Sequence, residues 1–379
     1  MKILFLVYHG FSEASGISKK IHYQVKGLRE NGYEVHLCYY GFAEDGHKCR
    51  YVDNEIIIDY GKGMIAGFYQ RIDYNGVYKF CKLNAIQLVY ARCAQNANPF
   101  LIHFFKKLKK LGIKAVMEIP TYPYDQEFSR FSWQQKCLLK IDKLFRNRLS
   151  ENMSAIVTFS DEDRIFGQRT IRISNGVDFD SIPLHQFEES SDGSIHLIGV
   201  AEVHIWHGYD RLIAGIGEYY KNTQNPRKVY FHIVGGVHPN ERYKANPFHP
   251  GMQAIIDKYG ILDYIVFHGQ LFGNELDKVF NQCCFAIGSL ARHRSGISVI
   301  KTLKNREYAT RGMPFIYSEQ DSDFDNQPYV LKAPADESPI DLPQVLSFID
   351  THHFNPQEIR QTVEHLSWKI QMKKVIDEA

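Results

Sequence analysis

The first part of the chain alternates between apolar runs and amphipathic stretches. Residues 2–8 form a nearly continuous apolar run, which is typical of a strand buried on both faces of a parallel sheet. After a polar loop, apolar residues recur at helical spacing from 17 to 28, and Asn31-Gly32 predicts the end of that helix. Residues 33–40 are expected to form the next strand.

The same alternation continues along the chain and is interrupted once. Further strands are predicted at 55–60, 87–92, 114–119 and 155–159 and, after a polar connector at 182–194, at 195–200, 228–234, 264–268, 284–288 and 314–317. Helix-length segments separate these strands, and such alternation builds parallel sheets covered on both faces. The pattern therefore predicts an α/β protein of two doubly wound Rossmann-like domains facing a central cleft at the carboxyl ends of the strands.

The length of 379 residues also favours two domains over one. We expect the first domain to span residues 1–183 and the second to span residues 194–355. Residues 356–379 carry apolar positions along one face of a helical pattern. They predict a C-terminal helix. The sequence does not decide where this helix packs, and a return to the first domain is one alternative.

Composition excludes several classes of protein. No apolar run approaches the roughly 18 residues of a membrane-spanning helix, and no signal-peptide cleavage site follows the first apolar run. The 7 cysteines are odd in number and form no C-x-x-C pair, which argues against a disulfide framework and against a zinc site. The sequence therefore predicts a cytoplasmic protein.

Charge is unevenly distributed along the chain. Residues 1–150 carry 23 Lys and Arg against 13 Asp and Glu, whereas the remaining residues carry 22 against 30. Two basic amphipathic stretches, at 100–111 and 136–148, account for much of the excess. Such stretches fit helices lying on an anionic membrane surface, here the inner face of the membrane. The alternative is that each helix has one core face and one solvated basic face. No nucleic-acid partner is expected.

Several common motifs are missing from the sequence. No G-x-G-x-x-G follows the first strand, and neither a G-x-x-x-x-G-K-[ST] loop nor a G-x-S-x-G turn is present. These absences disfavour a nicotinamide dehydrogenase, a P-loop enzyme and a hydrolase of the nucleophile-elbow type. The 17 histidines do not fall into metal-ligand spacings, so no metal is expected.

Five segments in the second half of the chain carry a family resemblance. In chain order they are 173–178 (I-S-N-G-V-D), 206–213 (W-H-G-Y-D-R-L-I), 231–236 (F-H-I-V-G-G), 266–269 (V-F-H-G) with Glu275-Leu276 downstream, and 307–314 (E-Y-A-T-R-G-M-P). Together they resemble the motifs of the large family of retaining glycosyltransferases with two Rossmann-like domains, known as GT-B (glycosyltransferase group 1, family 4-like).

The resemblance implies a function as well as a fold. It implies transfer of a hexose, with retention of configuration, from a nucleotide diphosphate sugar to a glycan or lipid-linked saccharide, as in the synthesis of cell-surface polysaccharides. No metal and no cofactor beyond this donor substrate is implied. The first domain would face the acceptor and the second would bind the donor. Two alternatives stay open: a nucleotide-sugar epimerase of similar architecture, and a non-catalytic protein that binds a nucleotide or a glycan.

The donor site is expected around a basic loop and the helix that follows it. By resemblance, Glu307 would bind the ribose, and a cation or a helix N-terminus would meet the diphosphate. The candidate donor-binding residues are Gly16, His207, Arg292, Arg294, Lys301, Lys304 and Glu307. The alternatives are a surface ion pair between Lys304 and Glu307 and a solvated loop at 292–296.

The sequence departs from the family pattern at the phosphate contacts. The family's Arg and Lys after the first strand of the second domain correspond here to Glu202, or a neighbour, and to His207. The family's earlier Glu corresponds to Val299. Either phosphate binding has moved to other cations or the protein is a weak or lapsed enzyme.

The acceptor side is predicted from strand ends in the first domain. The turn at 15–18, with Gly16, resembles the family's glycine loop, the alternative being an ordinary loop capped by Ser15. The candidate acceptor-binding residues are Arg92, at the end of the predicted strand 87–92, and Glu118, Tyr122 and Asp125, in a segment at 118–127 that is rich in Pro, Tyr and acids and ends at Glu127. No catalytic residue is assigned, and Glu118 and Asp125 are the candidates.

Overall fold

The chain folds into two compact units. The computed structural model describes residues 1–11, 16–92, 95–125, 133–237, 242 and 251–379, and of Gln134 the backbone alone. Unit 1 comprises Met1–Gly176 and Leu366–Ala379, and unit 2 comprises Val177–His365. The chain therefore passes out of unit 1 a little before the expected boundary at 183, and its last residues return to that unit.

Unit 1 is built on a nine-stranded sheet with the order β4-β3-β2-β1-β5-β6-β7-β9-β8. Its strands are β1 (Lys2–Leu6), β2 (Glu34–Phe42), β3 (Lys48–Val52), β4 (Glu55–Asp59), β5 (Leu88–Arg92), β6 (Lys114–Ile119), β7 (Ala155–Thr158), β8 (Arg164–Ile165) and β9 (Gln168–Arg172). The central strands pair in parallel, whereas β3, β4 and β8 pair antiparallel at the edges. The strands β3, β8 and β9 were not predicted because β8 has two residues, β9 is mostly polar, and β3 is a five-residue segment with two charged side chains.

Helices cover both faces of this sheet. They are α1 (Gly16–Glu30), α2 (Gly63–Ile72), α3 (Asn75–Leu83), α4 (Pro99–Lys110), α5 (Trp133–Ser150) and α12 (Trp368–Glu378). Ile3 and Phe5 of β1 lie in one core cluster with residues of α1 and α12, and Leu4 and Leu6 lie in a second cluster with residues of α3 and α4. Since adjacent residues of a strand point to opposite faces, β1 is buried on both sides, as the apolar run predicts.

Unit 2 contains a fully parallel six-stranded sheet with the order β12-β11-β10-β13-β14-β15. Its strands are β10 (Ile195–Val200), β11 (Val229–Val234), β12 (Ile265–Gly269), β13 (Phe285–Ile287), β14 (Phe315–Tyr317) and β15 (Val330–Lys332). Its helices are α6 (Tyr209–Asn222), α7 (Met252–Tyr259), α8 (Gly273–Gln282), α9 (Leu303–Arg311), α10 (Leu342–Thr351) and α11 (Pro356–Thr362). The strand order reverses between β10 and β13, and such a switch point is where doubly wound sheets bind ligands. The two predicted Rossmann-like domains are thus confirmed.

The predicted C-terminal helix is present as α12, but the expectation that it is continuous over 356–379 is wrong. Helix α11 ends before Val363, a 3-10 turn follows at Glu364–Leu366, and the side chain of Ser367 caps α12 by accepting from the N–H of Ile370. The break coincides with the passage from unit 2 to unit 1. Helix α12 then packs along α1, so the apolar positions of this segment serve two separate cores.

Helix α4 settles one alternative for the basic stretches. The apolar side chains of residues 101–108 are buried in the core of unit 1, and the lysines at 106, 109 and 110 are exposed. The interpretation as a core helix with a solvated basic face is therefore confirmed for this helix. In the part of the chain that the structure describes, no helix is long and apolar enough to cross a membrane.

Helix α9 is fixed to the sheet of unit 2 by buried polar contacts. The hydroxyl of Tyr308 accepts from the N–H of Val200 at 3.1 Å and donates to the carbonyl of Ile287 at 3.0 Å, so it joins β10 and β13. Two residues earlier in the helix, the guanidinium of Arg306 pairs with Asp321 at 2.7 Å, and both side chains are 0% exposed. These contacts attach α9 to the carboxyl ends of three strands.

We expect Arg306→Ala to lower the free energy of unfolding of unit 2 by about 3–5 kcal/mol, because it leaves the carboxylate of Asp321 buried without its cation. Denaturant unfolding followed by circular dichroism measures the change. Lys373→Ala removes an exposed ion pair with Asp377 and serves as the control, with an expected loss under about 0.5 kcal/mol. Equal losses in the two variants would contradict the assignment.

Candidate functional site

A cluster of ionisable side chains lies at the carboxyl ends of β10, β13 and β14. His207 follows β10, Arg292 follows β13, and Glu319 follows β14, while Lys304 is in the first turn of α9. The charges of these residues interact with one another. The structure therefore brings three of the predicted donor-binding residues together at the switch point of unit 2.

The turn after β10 packs closely on the loop after β13. Gly208 has a φ of 63°, and a Cβ there would come within 2.9 Å of the Ala291 nitrogen, so only glycine fits without displacing backbone. The N–H of Leu290 donates to the carbonyl of His207, and the N–H of Ala291 donates to that of Trp206. This packing holds His207 beside Arg292.

Arg294 connects the turn after β10 with the loop after β13. Its guanidinium pairs with Asp210 at 2.8 Å and with Glu337 at 2.6 Å, and it donates to the carbonyl of Ile205 at 2.9 Å. Burial acts to lower the pKa of Arg294, but the contacts with Asp210 and Glu337 outweigh it, so the pKa is raised. These contacts favour a bracing role for this residue, and its predicted contact with a diphosphate stays a prediction.

Lys304 carries a buried ammonium group. Its Nζ is inaccessible to solvent and has no hydrogen-bond partner among the residues that the structure describes. Burial lowers the pKa of Lys304 to about 7, with Arg292 acting in the same direction and Glu319 against it. The alternative of a surface ion pair with Glu307 is wrong, because Glu307 pairs with Arg311 at 3.1 Å instead.

Glu319 was not predicted from the sequence. Both its carboxylate oxygens are buried, and neither has a hydrogen-bond partner within the described ranges. Burial raises the pKa of Glu319 to about 7, against the opposing effects of its own backbone, Arg292 and Lys304. Its position two residues beyond a predicted parallel strand was the available signal, because ligands meet such sheets at the carboxyl ends.

His207 and Arg292 complete this cluster. Burial, followed by the charges of Lys304 and Arg292, lowers the pKa of His207 well below its usual value, so the ring is neutral. Its Nδ1 accepts from the N–H of His204 at 2.9 Å, which places the ring proton on Nε2 as a donor. The guanidinium of Arg292 lies 5.6 Å from the ring centre of Trp206.

The positions that depart from the family pattern lie at the edge of this cluster. Val299 is exposed and forms a parallel bridge with Gln320, the neighbour of Glu319. Glu202 is exposed, and Lys301 is partly buried. A carboxylate thus lies next to the strand partner of Val299, although the sequence places none at position 299.

In unit 1, the carboxylate of Glu118 is enclosed at the carboxyl end of β6. Tyr90 donates to it at 2.5 Å and Gln24 at 2.7 Å, and the side chain is 0% exposed. Burial raises the pKa of Glu118, but Lys20 and then Arg92 outweigh this effect, and the net shift is downward. Such an enclosed carboxylate favours a role in holding these cations over the predicted catalytic role.

Of the other predicted acceptor residues, Arg92 pairs with Glu118 at 3.5 Å, whereas Asp125 and Tyr122 have other partners. Asp125 pairs with Arg146 at 2.7 Å and with Lys143 at 3.0 Å. Burial acts to raise the pKa of Asp125, but these two cations outweigh it, so the pKa is lowered. The ring of Tyr122 packs edge-on against Phe166. Glu118 and Asp125 are thus held by different cations, Lys20 and Arg92 for the first and Lys143 and Arg146 for the second. Ser15, Gln126 and Glu127 lie outside the described residues, and Gly16 begins α1.

Two polar atoms at the carboxyl ends of β1 and β5 are buried without a hydrogen-bond partner in the described part of the chain. They are Nη1 of Arg92 and Nε2 of His9. The Nδ1 of His9 contacts the carbonyl of Gly10 at 2.8 Å, and burial lowers the pKa of this histidine. The neutral ring therefore offers a lone pair at Nε2 beside the charge of Arg92. The strand order of unit 1 reverses between β1 and β5, so this is its switch point.

The described residues include no group of three His, Cys, Asp or Glu side chains arranged to hold a metal ion. No family model matches the chain, and no curated protein sequence matches it.

Solved structures resemble the chain over its whole length. The lipopolysaccharide outer core galactosyltransferase WaaB, in its apo form, is 12% identical with a TM-score of 0.60, and the match covers 100% of this chain and 99% of that one. A glycosyltransferase from Rickettsia africae is 13% identical with a TM-score of 0.61, over 99% and 97%. The structure named "Trehalose-6-phosphate from E. coli bound with UDP-2-fluoro glucose" is 12% identical with a TM-score of 0.58, over 100% and 98%. At these identities the matches show the GT-B fold.

The raised pKa of Glu319 predicts a specific dependence of stability on pH. Between the ordinary value of 4.5 and about 7, the folded protein holds a proton that the unfolded chain has released, so this group makes stability fall as pH rises. Glu319→Gln replaces the titrating carboxyl group with an amide that does not titrate. The free energy of unfolding of this variant, measured in urea relative to wild type, is expected to increase from about pH 5 to about pH 7. Glu275→Gln, at an exposed site, is the matched control. A difference that does not change with pH would contradict the assignment.

Proposed function

We propose that this protein is a glycosyltransferase that moves a hexose from a nucleotide diphosphate sugar to a saccharide acceptor without a metal ion. The observation that carries the proposal is the buried Nζ of Lys304, which has no hydrogen-bond partner among the described residues, at the switch point of unit 2. A buried ammonium that makes no hydrogen bond is costly unless a ligand supplies hydrogen-bond acceptors and negative charge. A diphosphate group supplies both.

In this proposal, Lys304, Arg292 and the Nε2–H of His207 stabilise the leaving diphosphate. Negative charge develops on the leaving group as the glycosidic bond breaks, and fixed donors in a buried site lower the barrier most when they meet that charge. Arg294 holds the loops that carry these donors. The three groups replace the Arg and Lys of the family pattern, and Lys301 and Gly16 stay proposed donor contacts.

Glu307 is proposed to bind the ribose hydroxyls of the donor. It lies one turn of α9 after Lys304, its side chain is 29% exposed, and Arg311 fixes its carboxylate. A carboxylate that is partly exposed and already oriented can accept hydrogen bonds from vicinal hydroxyls. Retention of configuration is proposed on the family resemblance.

The acceptor is proposed to meet unit 1 at Arg92, with Tyr122 and Asp125 as further contacts. Arg92 and His9 offer one free donor and one free acceptor at the switch point of that unit, a combination that suits a sugar hydroxyl and its neighbouring anionic group. A glycan or lipid-linked saccharide used in cell-surface polysaccharide synthesis, at the inner face of the membrane, fits this chemistry. The similar structure of WaaB, a lipopolysaccharide galactosyltransferase, supports the same class.

Incubation with a panel of UDP-, GDP- and other activated sugars tests the function, with nucleotide release as the readout. We expect release from one donor, and Lys304→Met should lower its rate about 100-fold because one fixed donor to the leaving group is lost. Lys278→Met, which removes an exposed cation paired with Glu275, is the control and should leave the rate unchanged.

Other outcomes of this panel identify the alternatives. Interconversion of two free nucleotide sugars without any acceptor would show an epimerase. Tight donor binding with no release of nucleotide, with or without a saccharide acceptor, would show a non-catalytic binding protein. Either result overturns the proposed transfer reaction.

Glu307→Ala should weaken binding of the donor identified by the panel about tenfold or more, because ribose hydroxyls lose a charged acceptor. Isothermal titration calorimetry measures the affinity. Glu275→Ala, which removes an exposed carboxylate on α8, is the matched control. An unchanged affinity in the Glu307 variant would show that the ribose lies elsewhere.

A further inference from the structure

Helix α2 presents an apolar face to the outside of unit 1. Met64, Ile65, Phe68 and Tyr69 are 92%, 73%, 59% and 50% exposed. At helical spacing these residues share one side of the helix. Single exposed apolar residues are common on soluble proteins, but contiguous large ones mark a surface that binds a partner or a membrane.

The opposite face of α2 explains how the helix keeps this orientation. Ala66 is 1% exposed, and a Cβ on Gly67 would lie 2.9 Å from the Nζ of Lys48 on β3. The carbonyl of Gln70 accepts a hydrogen bond from the hydroxyl of Tyr40. Small residues and a backbone contact thus attach the inner face to the sheet, and every large apolar side chain between 64 and 69 points outward.

Cations surround this apolar face. Lys62 immediately precedes α2, Arg71 is in its last turn, and the Nζ of Lys48 donates to the carbonyl of Gly63 at 3.2 Å. The helix itself contains no acidic residue. An apolar stripe with basic residues at both ends has the composition of a helix that lies in the interface of an anionic membrane.

A second exposed aromatic residue lies near the end of α2. The amide of Asn98 reaches the carbonyl of Arg71 at 3.5 Å, and the amide of Gln95 donates to the carbonyl of Gln135 at 3.0 Å. The segment 95–98 therefore contacts both the last turn of α2 and the first turn of α5. Trp133, the first residue of α5, is 78% exposed. Tryptophan is enriched at the boundary between lipid and water, where its apolar ring and its polar N–H are both satisfied.

We propose that unit 1 binds the surface of an anionic lipid bilayer through α2, with Met64, Ile65 and Phe68 inserted among the acyl chains. Lys62 and Arg71 meet the lipid phosphates, and Trp133 lies at the level of the headgroups. The ten-residue helix is about 15 Å long and lies in the plane of the membrane. This element replaces the stretch at 100–111 as the membrane contact, because five apolar residues of that stretch, between 101 and 108, are buried in the core.

Charge favours a bilayer over a second copy of this chain as the occupant. A symmetric contact between two copies of α2 would bring Lys62 and Arg71 of one copy against the same cations of the other. Like charges facing each other across an interface oppose association. An anionic bilayer supplies the complementary charge along the whole helix.

Co-sedimentation of the full chain with vesicles tests the proposal. We expect binding to phosphatidylcholine vesicles that contain phosphatidylglycerol, weaker binding to phosphatidylcholine alone, and weakening by salt. The double variant Ile65→Glu/Phe68→Glu should lower the vesicle affinity about tenfold or more. The matched control is Leu262→Glu/Phe272→Glu, which changes two exposed apolar residues of unit 2 and should bind as wild type does.

Three results would overturn the proposal. They are wild-type protein that does not bind the anionic vesicles, an α2 variant that binds as tightly as wild type, and a wild-type dimer in size-exclusion chromatography that the α2 variant dissociates. Thermal unfolding of the variants checks that they are folded. The assay contains no nucleotide sugar, so its outcome is independent of the proposed transfer reaction.

Discussion

The hydroxyl group of Tyr308 joins helix α9 to both strands at the switch point of unit 2. It accepts from the backbone of β10 and donates to the backbone of β13, so one side chain is hydrogen-bonded to peptide groups of two strands. With the ion pair of Arg306 and Asp321, it fixes the first turn of α9 at the carboxyl ends of the strands. Lys304 and Glu307 are in or next to that turn, so their positions depend on this anchor.

The fixed scaffold allows unit 2 to carry charges that would destabilise a freer segment. Arg306 is fully buried and fully paired, whereas Lys304 and Glu319 are buried without hydrogen bonds in the described structure. Burial displaces the pKa values of both toward 7. Groups whose ionisation is poised in this way, near one another at a ligand-binding edge, are characteristic of functional sites, where stability is exchanged for chemistry.

Unit 1 has a polar site at the carboxyl ends of its strands and an exposed apolar surface on α2. Around Glu118, Lys20 and Arg92 are paired with this carboxylate, and the Nη1 of Arg92 and the Nε2 of His9 are buried without a hydrogen-bond partner among the described residues. Around α2, by contrast, large apolar side chains remain in solvent because small residues occupy the face toward the sheet. The buried polar atoms near Glu118 suit recognition of a polar substrate, and the exposed apolar side chains of α2 suit contact with a lipid bilayer.

The sequence by itself determined the alternation of strands and helices, the two Rossmann-like domains and the loop and helix at 292–311, because apolar periodicity and local motifs depend on neighbours along the chain. It could not predict the strands β3 and β9, the break before α12 or the role of Glu319, since each depends on contacts between distant segments. Lys304 and Glu307, three residues apart, suggested an ion pair with each other. Glu307 instead pairs with Arg311, one turn further along the same helix. Only the tertiary structure decided that Lys304 is buried near Arg292, His207 and Glu319, because that burial depends on the approach of other strands.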